Sequence, residues 1–356
     1  MLYEISEKAM QLEKEGKKII NFNLGDPDMQ TPTEIVEAAT EAMRKGLTKY
    51  SFAAGEIKLR RELARIHGVS ANNVVVSPGS KWAVFSLMYL LLKNGGNVII
   101  PTPYWTSYGL IAQSLGVEAR LLKTEITSKW QIDIEKLDNL IDRNTRMIVL
   151  NNPNNPTSKS LDDNTLGDIV QLANEKKVMI LSDEVYADIS FVKPKSILDF
   201  EGEHILISSF SKTFAMTGWR IGYAIVGKDL AEKMMKLNQI TVTNVPVFVQ
   251  EAAVKALELK ERIAHEMRTE YRRRADLACS MLSKTKLTFT EPDAPFYLFP
   301  RCEGLNSEEF TVNLLDKGVA ITPGSAFGDY NEHFRIALTV PQEKIRIGLE
   351  TLREAL

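Results

Sequence analysis

The sequence has little cysteine: Cys279 and Cys302 are the two thiols in 356 residues. They lie far apart, and neither belongs to a CxxC pair or to a Cys/His spacing typical of zinc sites. This pattern excludes a disulfide framework or a zinc module. It predicts two free thiols in a reducing compartment, which favours a cytoplasmic protein.

Long apolar runs and strong net charge are also missing. The longest apolar run, residues 82–92, is interrupted by a serine and is too short to span a bilayer. Residues 1–18 are charged and lack the apolar core of a signal peptide. The formal net charge of −2 argues against a nucleic-acid partner. Neither GxGxxG nor a Walker P-loop occurs, which argues against a nucleotide site.

The composition is that of an ordinary globular protein, with 44 % hydrophobic and 25 % charged residues. The length allows one large domain and a smaller one. Short apolar runs typical of buried strands alternate with helical periods along most of the chain. This alternation predicts an α/β fold, and a change to short strands and helices from about residue 287 indicates a separate small domain.

The densest group of chemically active residue types lies at residues 208–222, which read SSFSKTFAMTGWRIG. The stretch follows an apolar run at 205–207, so its polar groups stand where the chain leaves a predicted sheet. Ser209, Lys212 and Arg220 together favour a phosphate or another anion. A partly desolvated lysine beside cationic neighbours can attack a carbonyl and form a Schiff base.

This stretch resembles the lysine segment of fold-type-I aminotransferases of class I/II, which bind pyridoxal 5′-phosphate. Further motifs follow in family order between residues 25 and 335, among them GDPDMQTP, YSFAAGEIKLR, NNPNNPT and SDEVY. The resemblance implies a large cofactor-binding domain, residues 31–282, with a mostly parallel seven-stranded type of sheet flanked by helices. It also implies a small α+β domain built from both termini, residues 1–30 and 283–356.

The resemblance implies three catalytic residues. Lys212 would carry the cofactor covalently and then move a proton as general base and acid. Asp183 follows an apolar run, where a carboxylate is costly unless paired. A protonated pyridine nitrogen is a suitable partner, and a structural ion pair is the alternative. Tyr186 would reach the phenolic oxygen of the cofactor.

The cofactor phosphate is expected at a second group of residues. In the family, the positions of Ser209 and Arg220 hold this phosphate. A turn formed by Gly79, Ser80 and Lys81 cradles it at a helix start, where backbone N–H groups and the helix dipole favour an anion. Such turns are also common as plain structure. Tyr50 matches a tyrosine that reaches across a dimer interface to the partner's phosphate, which implies a homodimer, although a half-buried structural tyrosine is the alternative.

Four residues are expected beside the substrate. The backbone at Gly25 would approach the substrate carboxylate, and Trp105 would stack on the pyridine ring. Asn155, aimed by a proline-rich turn, would bind the phenolic oxygen. Arg335 stands alone in an apolar strand and would clamp the α-carboxylate with two hydrogen bonds.

Two positions depart from the family pattern. Ser158 replaces a usual glycine, and we expect it to adjust the turn without abolishing the site. Ala294-Pro295 replaces Gly-Ala, and we expect the pocket wall there to differ.

The motifs are most similar to those of prokaryotic aspartate aminotransferases. The predicted reaction is therefore ping-pong transfer from an amino acid, aspartate first, to a 2-oxo acid, 2-oxoglutarate first. Aromatic amino acids, alanine and methionine stay open as donors, and a C–S lyase or a cyclopropane-forming synthase could use the same scaffold. A non-enzymatic effector-binding module is disfavoured because no basic helix-turn-helix segment is present.

Overall fold

The computed structural model describes residues 7–9, 11–12 and 14–356. The predicted N-terminal part of the small domain, residues 1–30, therefore includes eight positions that lie outside the described residues, namely 1–6, 10 and 13. The strands are β1 (Ile20–Asn21), β2 (Val74–Ser77), β3 (Asn97–Thr102), β4 (Glu118–Lys123), β5 (Thr145–Asn151), β6 (Met179–Asp183), β7 (His204–Ser209), β8 (Gly222–Ile225), β9 (Tyr297–Leu298), β10 (Val319–Ala320), β11 (Thr322–Pro323) and β12 (Phe334–Ala337).

Helices alternate with these strands through most of the chain. From residue 31 onward they are α1 (Thr33–Arg44), α2 (Ile57–His67), α3 (Ser80–Leu92), α4 (Ser107–Ser114), α5 (Ile134–Leu140), α6 (Asp163–Lys176), α7 (Lys228–Ile240), α8 (Val247–Glu258), α9 (Lys260–Leu282), α10 (Ser307–Asp316) and α11 (Gln342–Ala355). None of the helices in the described residues combines the length and apolar character that crossing a bilayer requires.

Seven strands form the central sheet, in the order β2-β8-β7-β6-β5-β3-β4. Strand β8 is antiparallel to both of its neighbours, and the other neighbouring pairs are parallel. The predicted α/β fold with a mostly parallel, seven-stranded sheet is therefore confirmed.

Both faces of this sheet are covered, which explains why its strands read as continuous apolar runs. Successive side chains of a strand point to opposite faces. Leu206 accordingly packs in one apolar cluster, with Leu150 of β5. Its neighbour Ile205 packs in a second cluster, with Val149 of β5. Helices on either face complete these two cores.

The parallel strands bring polar residues to one edge of the sheet. Asn151 of β5 lies opposite Asp183 of β6, and Asp183 lies opposite Ile207 of β7. The loop after β7 carries Lys212. Carboxyl ends of neighbouring parallel strands meet at one edge, so the ends of β5, β6 and β7 bring their functional groups to the same place.

The two ends of the described chain share a separate core. Strand β1 pairs in parallel with β10, while β11, β12 and β9 form a three-stranded antiparallel sheet. Phe22 packs closely on α11, where a Cβ at Gly348 would come within 2.5 Å of its ring. Helix α9 contributes to both cores: Met267 packs in the large one, and Ala278 packs in the small one. The predicted boundary at residue 282 falls at the end of this shared helix.

Candidate active site

A cavity of about 390 Å³ lies at the carboxyl edge of the central sheet and beside the small antiparallel sheet. It gathers residues that are distant in sequence. Of the predicted site residues, those lining it are Gly25, Ser80, Trp105, Asn155, Asp183, Tyr186, Lys212 and Arg335. The other lining residues include Asn23, Tyr108, Asn151 and Tyr297.

The acidic end of the cavity is Asp183, the last residue of β6 and 2 % exposed. Its Oδ2 accepts a hydrogen bond of 2.8 Å from the Tyr108 hydroxyl, whereas Oδ1 is buried without a partner. Burial raises the pKa of Asp183 to about 6, against opposing effects of the Tyr108 hydroxyl, the Val185 backbone N–H and the charge on Lys212. Because buried polar atoms are normally hydrogen-bonded, Oδ1 can accept a hydrogen bond from a ligand.

Lys212 lines the cavity beside Gly25 and close enough to Asp183 for their charges to interact. Its Nζ donates a hydrogen bond of 2.5 Å to the carbonyl oxygen of Gly25, and its charge is felt by Asp183. Gly25 admits no side chain, because a Cβ there would overlap the Tyr297 hydroxyl. Glycine at this position therefore lets the backbone approach Tyr297 closely.

A cradle for an anion lies at the start of α3. Gly79 has φ +80° and gives the helix no side-chain cap, which leaves backbone N–H groups at the helix start available to a ligand. A Cβ at Gly79 would come within 2.5 Å of Nη2 of Arg220. Arg220 donates to the carbonyl oxygen of Thr217 at 2.7 Å and makes no ion pair within the described chain. The hydroxyl of Ser209, at the end of β7, accepts from the Ser211 N–H at 3.3 Å.

Lys81 lies beside the cradle and outside the cavity itself. Its Nζ sits 4.9 Å from the centroid of the Trp105 ring, within range of a cation–π contact. Lys81 and Arg220 line an adjoining groove. Trp105 in turn packs edge-on against Tyr108, with 5.3 Å between ring centroids.

The cationic end is Arg335 in β12, which is 4 % exposed. Its Nη1 donates to Oδ1 of Asn155 at 2.9 Å, and its Nη2 donates to the carbonyl oxygen of Asn23 at 2.5 Å. The rings of Tyr297 and Phe327 lie 4.5 and 4.9 Å from its guanidinium carbon. Nε is buried without a partner, and no described carboxylate pairs with Arg335. Burial lowers its pKa, although arginine stays charged in proteins.

Two tyrosines join the ends of the cavity. The hydroxyls of Tyr186 and Tyr297 are 3.1 Å apart. Burial, together with this neighbour, raises the pKa of Tyr186 well above its ordinary value. Tyr186 is therefore a neutral hydroxyl that can donate or accept a hydrogen bond at neutral pH.

Five predicted site residues do not line the cavity: Gly79, Lys81, Ser209 and Arg220 belong to the cradle beside it, and Tyr50 lies at the surface. Its side chain is 88 % exposed, and the nearby Phe52 is 68 % exposed. Sequence reasoning in turn missed Tyr108 and Tyr297 as site residues. The signal for Tyr108 is its position three residues after Trp105, in the first turn of α4, where the two rings are in contact.

Comparisons with known proteins agree along the whole chain. The family model "Aminotransferase class I and II" matches residues 17–352. An aspartate aminotransferase from Thermococcus kodakarensis is 34 % identical, covering 100 % of this chain and 92 % of that protein. An aromatic-amino-acid aminotransferase from Thermococcus litoralis is also 34 % identical, covering 98 % of this chain and 94 % of that protein.

Solved structures show the same likeness. The structure of Thermus thermophilus aspartate aminotransferase with maleate superimposes with a TM-score of 0.94 at 29 % identity, covering 100 % of this chain and 96 % of that one. The chain therefore belongs to the class I and II aminotransferase family. It is an aminotransferase, and its cofactor is pyridoxal phosphate.

The residues of the cavity fit this cofactor. The unpartnered Oδ1 of Asp183 suits a protonated ring nitrogen, which is a cationic N–H donor. The uncapped start of α3, with Gly79 against Arg220, suits a phosphate ester. Trp105 offers an aromatic face to a planar ring, and Lys212 is the amine that lines the same cavity.

Proposed function

We propose that this chain transfers the amino group of L-aspartate to 2-oxoglutarate in two half-reactions. The observation that carries the proposal is the meeting, in one cavity, of an amine, a buried acid and a buried arginine without an acidic partner: Lys212, Asp183 and Arg335. Relatives named aspartate aminotransferase support aspartate as the donor.

Arg335 binds the α-carboxylate of the substrate in this proposal. Its contacts are to neutral oxygens and aromatic rings, so its positive charge is available to an incoming anion. Its Nε is the donor that still needs an acceptor. A carboxylate that presents two oxygens to this guanidinium would satisfy that donor with a charge-assisted bond.

The cofactor, when bound, supplies an aldehyde carbon and an electron-withdrawing ring. Lys212 would hold the cofactor through its Nζ, and once free it would move the proton of the substrate Cα as general base and then acid. Asp183, whose Oδ1 has no partner within the described chain, would accept a hydrogen bond from the ring nitrogen and favour its protonated form. Tyr186 and Asn155 bind the phenolic oxygen, and both line the same cavity as Lys212.

The phosphate is held, in this proposal, by the cradle at the start of α3. Gly79 and Ser80 provide the backbone of the turn, and Arg220, Ser209 and Lys81 add charge and hydroxyl donors around it. The absence of acidic residues from the first turn of α3 keeps this helix start favourable to an anion.

We propose further that the active form is a homodimer in which Tyr50 reaches the partner's phosphate. The support is the 88 % exposure of Tyr50 beside the exposed Phe52, since exposed apolar groups often mark an interface. Sedimentation equilibrium tests the oligomeric state. In a dimer, Tyr50→Phe should weaken cofactor retention on dialysis, whereas a monomeric active enzyme would contradict this part of the proposal.

A cytoplasmic location and the two-domain division also belong to the proposal. Both cysteines are free thiols, which supports a reducing compartment. The shared core of the two chain ends supports a small domain made of residues 1–30 and 283–356 beside a large domain of 31–282. Cell fractionation tests the location, and limited proteolysis tests the division.

A panel of amino donors with 2-oxoglutarate tests the reaction itself. We expect L-aspartate to give the highest kcat/KM. An aromatic donor is the second candidate, because Trp105, Tyr108 and Tyr297 line the cavity and one relative carries an aromatic-amino-acid name. Release of a 2-oxo acid without any acceptor would indicate a lyase and would overturn amino transfer to 2-oxoglutarate as the reaction.

A further inference from the structure

Ser158 is a polar residue that the proposed function does not use, and its backbone conformation is unusual. It has φ +53°, in the left-handed region that favours glycine, and it is 1 % exposed. The turn that contains it also carries Asn155, and the Ser158 N–H donates to the carbonyl oxygen of Asn154 at 2.8 Å. A serine in this conformation has a higher free energy than glycine would have. Its hydroxyl is the group that could offset this cost.

The hydroxyl of Ser158 bridges two residues of the cavity wall. It accepts a hydrogen bond of 3.1 Å from the backbone N–H of Tyr297 and lies 3.5 Å from the carbonyl oxygen of Pro295, to which it can donate. Tyr297 belongs to β9, an edge strand of the three-stranded sheet whose one neighbour is β12. Without Ser158, this buried N–H on the free edge of the sheet would lose its partner.

Further bonds fasten the same turn to the same wall. The carbonyl oxygen of Ser158 accepts from the N–H groups of Asp293 and Ala294 at 2.9 and 3.1 Å. Lys159 pairs with Asp293 at 2.6 Å, with both side chains mostly buried. The turn after β5 and residues 293–297 therefore form one clasp, in which the Ser158 hydroxyl is the contact nearest to Tyr297.

The position of Tyr297 matters for the cationic end of the cavity. Its ring lies 4.5 Å from the guanidinium carbon of Arg335, and its hydroxyl lies 3.1 Å from that of Tyr186. A shift of the Tyr297 backbone would move the aromatic face that supports Arg335. Cation–π contacts of this kind depend on the distance and direction of the ring.

We propose that Ser158 is a positioning residue for substrate carboxylate binding: its hydroxyl anchors Tyr297, and Tyr297 orients Arg335. Ser158 itself does not line the cavity. This inference rests on the proposed role of Arg335. The serine hydroxyl lies within hydrogen-bond distance of the Pro295 carbonyl oxygen and of the Tyr297 N–H. The two departures from the family pattern, Ser158 and Ala294-Pro295, are therefore in contact in the fold.

Ser158→Gly tests the proposal, because glycine adopts φ +53° freely and removes only the hydroxymethyl group. We expect the Kd of maleate, a dicarboxylate without an amino group, to rise about fivefold by calorimetry on the holoenzyme, as the loss of one hydrogen bond implies. Cofactor retention should be unchanged, and the melting temperature should change little, because relief of the positive φ offsets part of the loss of the hydrogen bond. If the role of Ser158 were merely structural, Ser158→Gly would lower the melting temperature and leave the Kd of maleate unchanged.

Coupling to Tyr297 gives the sharper test. In a Tyr297→Leu background, Ser158→Gly should cause no further loss of maleate affinity, because both changes act through one contact. Additive losses would overturn the proposed route through Tyr297. Ser307→Gly is the matched control, since Ser307 is equally buried and its hydroxyl has no partner within the described chain. It should leave the Kd unchanged.

A measurement without any ligand separates this inference from the proposed function. Hydrogen exchange at residues 294–299 should be faster in Ser158→Gly than in the unmodified protein, because the Tyr297 N–H loses its acceptor. If the unmodified holoenzyme does not bind maleate, the aspartate proposal fails, and exchange then decides the role of Ser158. Unchanged exchange in this segment would overturn the inference.

Discussion

The two ends of the active-site cavity each bury a charge, and they treat it differently. At one end, Asp183 terminates a parallel strand, with one oxygen bonded to Tyr108 and the other left open. At the other end, Arg335 lies within an antiparallel strand, where neutral oxygens accept from both Nη groups and two aromatic rings lie close to the guanidinium.

The difference follows from the chemistry of the two groups. A buried carboxyl group can lose its charge by taking up a proton, and the pKa of Asp183, raised to about 6, makes this possible near neutral pH. Arginine does not lose its proton in proteins, so its buried charge must be stabilised continuously by dipoles and aromatic rings. The acidic end can therefore stay open for a ligand, whereas the cationic end is built in advance.

Removing the amine of Lys212 should have the largest effect on kcat. Lys212→Ala should lower kcat by at least roughly 10²–10⁴-fold, because the proposed covalent anchor and proton carrier is lost. It should also abolish the absorbance of the covalently bound cofactor. Stopped-flow spectra and steady-state turnover measure both effects, with the exposed-lysine variant Lys233→Ala as control. Turnover within tenfold of the unmodified enzyme would contradict the assignment of Lys212.

Neutralising the acidic end should act mainly on kcat. Asp183→Asn removes the negative charge that we propose to face the ring nitrogen, and we expect kcat to fall roughly 10²–10³-fold with little change in KM. The adjacent Glu184 is a matched control, because it is also buried but bonds Ser182 and the Ile197 N–H outside the cavity. If Glu184→Gln lowered kcat equally, the special role of Asp183 would be lost.

Altering the cationic end should act mainly on KM. Arg335→Lys keeps the charge but loses the planar fork, and we expect kcat/KM for the amino donor to fall roughly 30- to 1000-fold. Arg60→Lys is the control, since Arg60 also donates to two backbone carbonyls, of Val74 and Ala71, but lies outside the cavity. An effect confined to kcat would show that the arginine does not bind the carboxylate.

The acidic end should also give the cofactor-free protein a pH-dependent stability. The folded-state pKa of Asp183, about 6, is above its ordinary value of 3.8, so the folded protein binds more protons between these values. Stability should therefore fall as pH rises from about 4 to 6, by about 3 kcal/mol at 1.36 kcal/mol per pKa unit. Urea unfolding of Asp183→Asn should show a flatter pH profile. An unchanged slope would place the effect elsewhere, first at Glu184, whose pKa burial raises to about 7.

The smallest effect on kcat is expected from Tyr108, which donates a hydrogen bond to Asp183. Tyr108→Phe removes a donor that lowers the pKa of Asp183, so this pKa should rise further. The acid limb of the pH–rate profile should shift to higher pH, while kcat at pH 8 should change by less than about fivefold, the worth of one neutral hydrogen bond. Tyr89→Phe is the control, because Tyr89 stacks on Phe85 outside the cavity. A similar shift in both variants would show that the hydrogen bond from Tyr108 does not control the pKa of Asp183.

Much of the fold could be predicted because local patterns specify it. The continuous apolar runs of the central strands leave little choice but a sheet buried on both faces, and the alternation with helical periods makes that sheet mostly parallel. The carboxyl-end rule then brings Asn155, Asp183 and Lys212 to one edge. All three line the cavity.

Contacts between distant segments could not be predicted in the same way. Tyr108 meets Asp183 across 75 positions, and Ser158 meets Tyr297 across 139. Neither pair has a local pattern that would indicate it. The tyrosines and the serine are ordinary residues for a helix start, a strand and a turn, so composition alone favours a structural role for each.

The sequence by itself determined the family and the alternating order of strands and helices, and it predicts which amine, acid and arginine form the site. Those features depend on short motifs and on periodicity, which act within a few residues. The tertiary structure decided which oxygen of Asp183 stays open, what supports the charge of Arg335, and which wall Ser158 anchors. These depend on packing between segments far apart in the chain, where distances of a few tenths of an ångström decide whether a hydrogen bond forms.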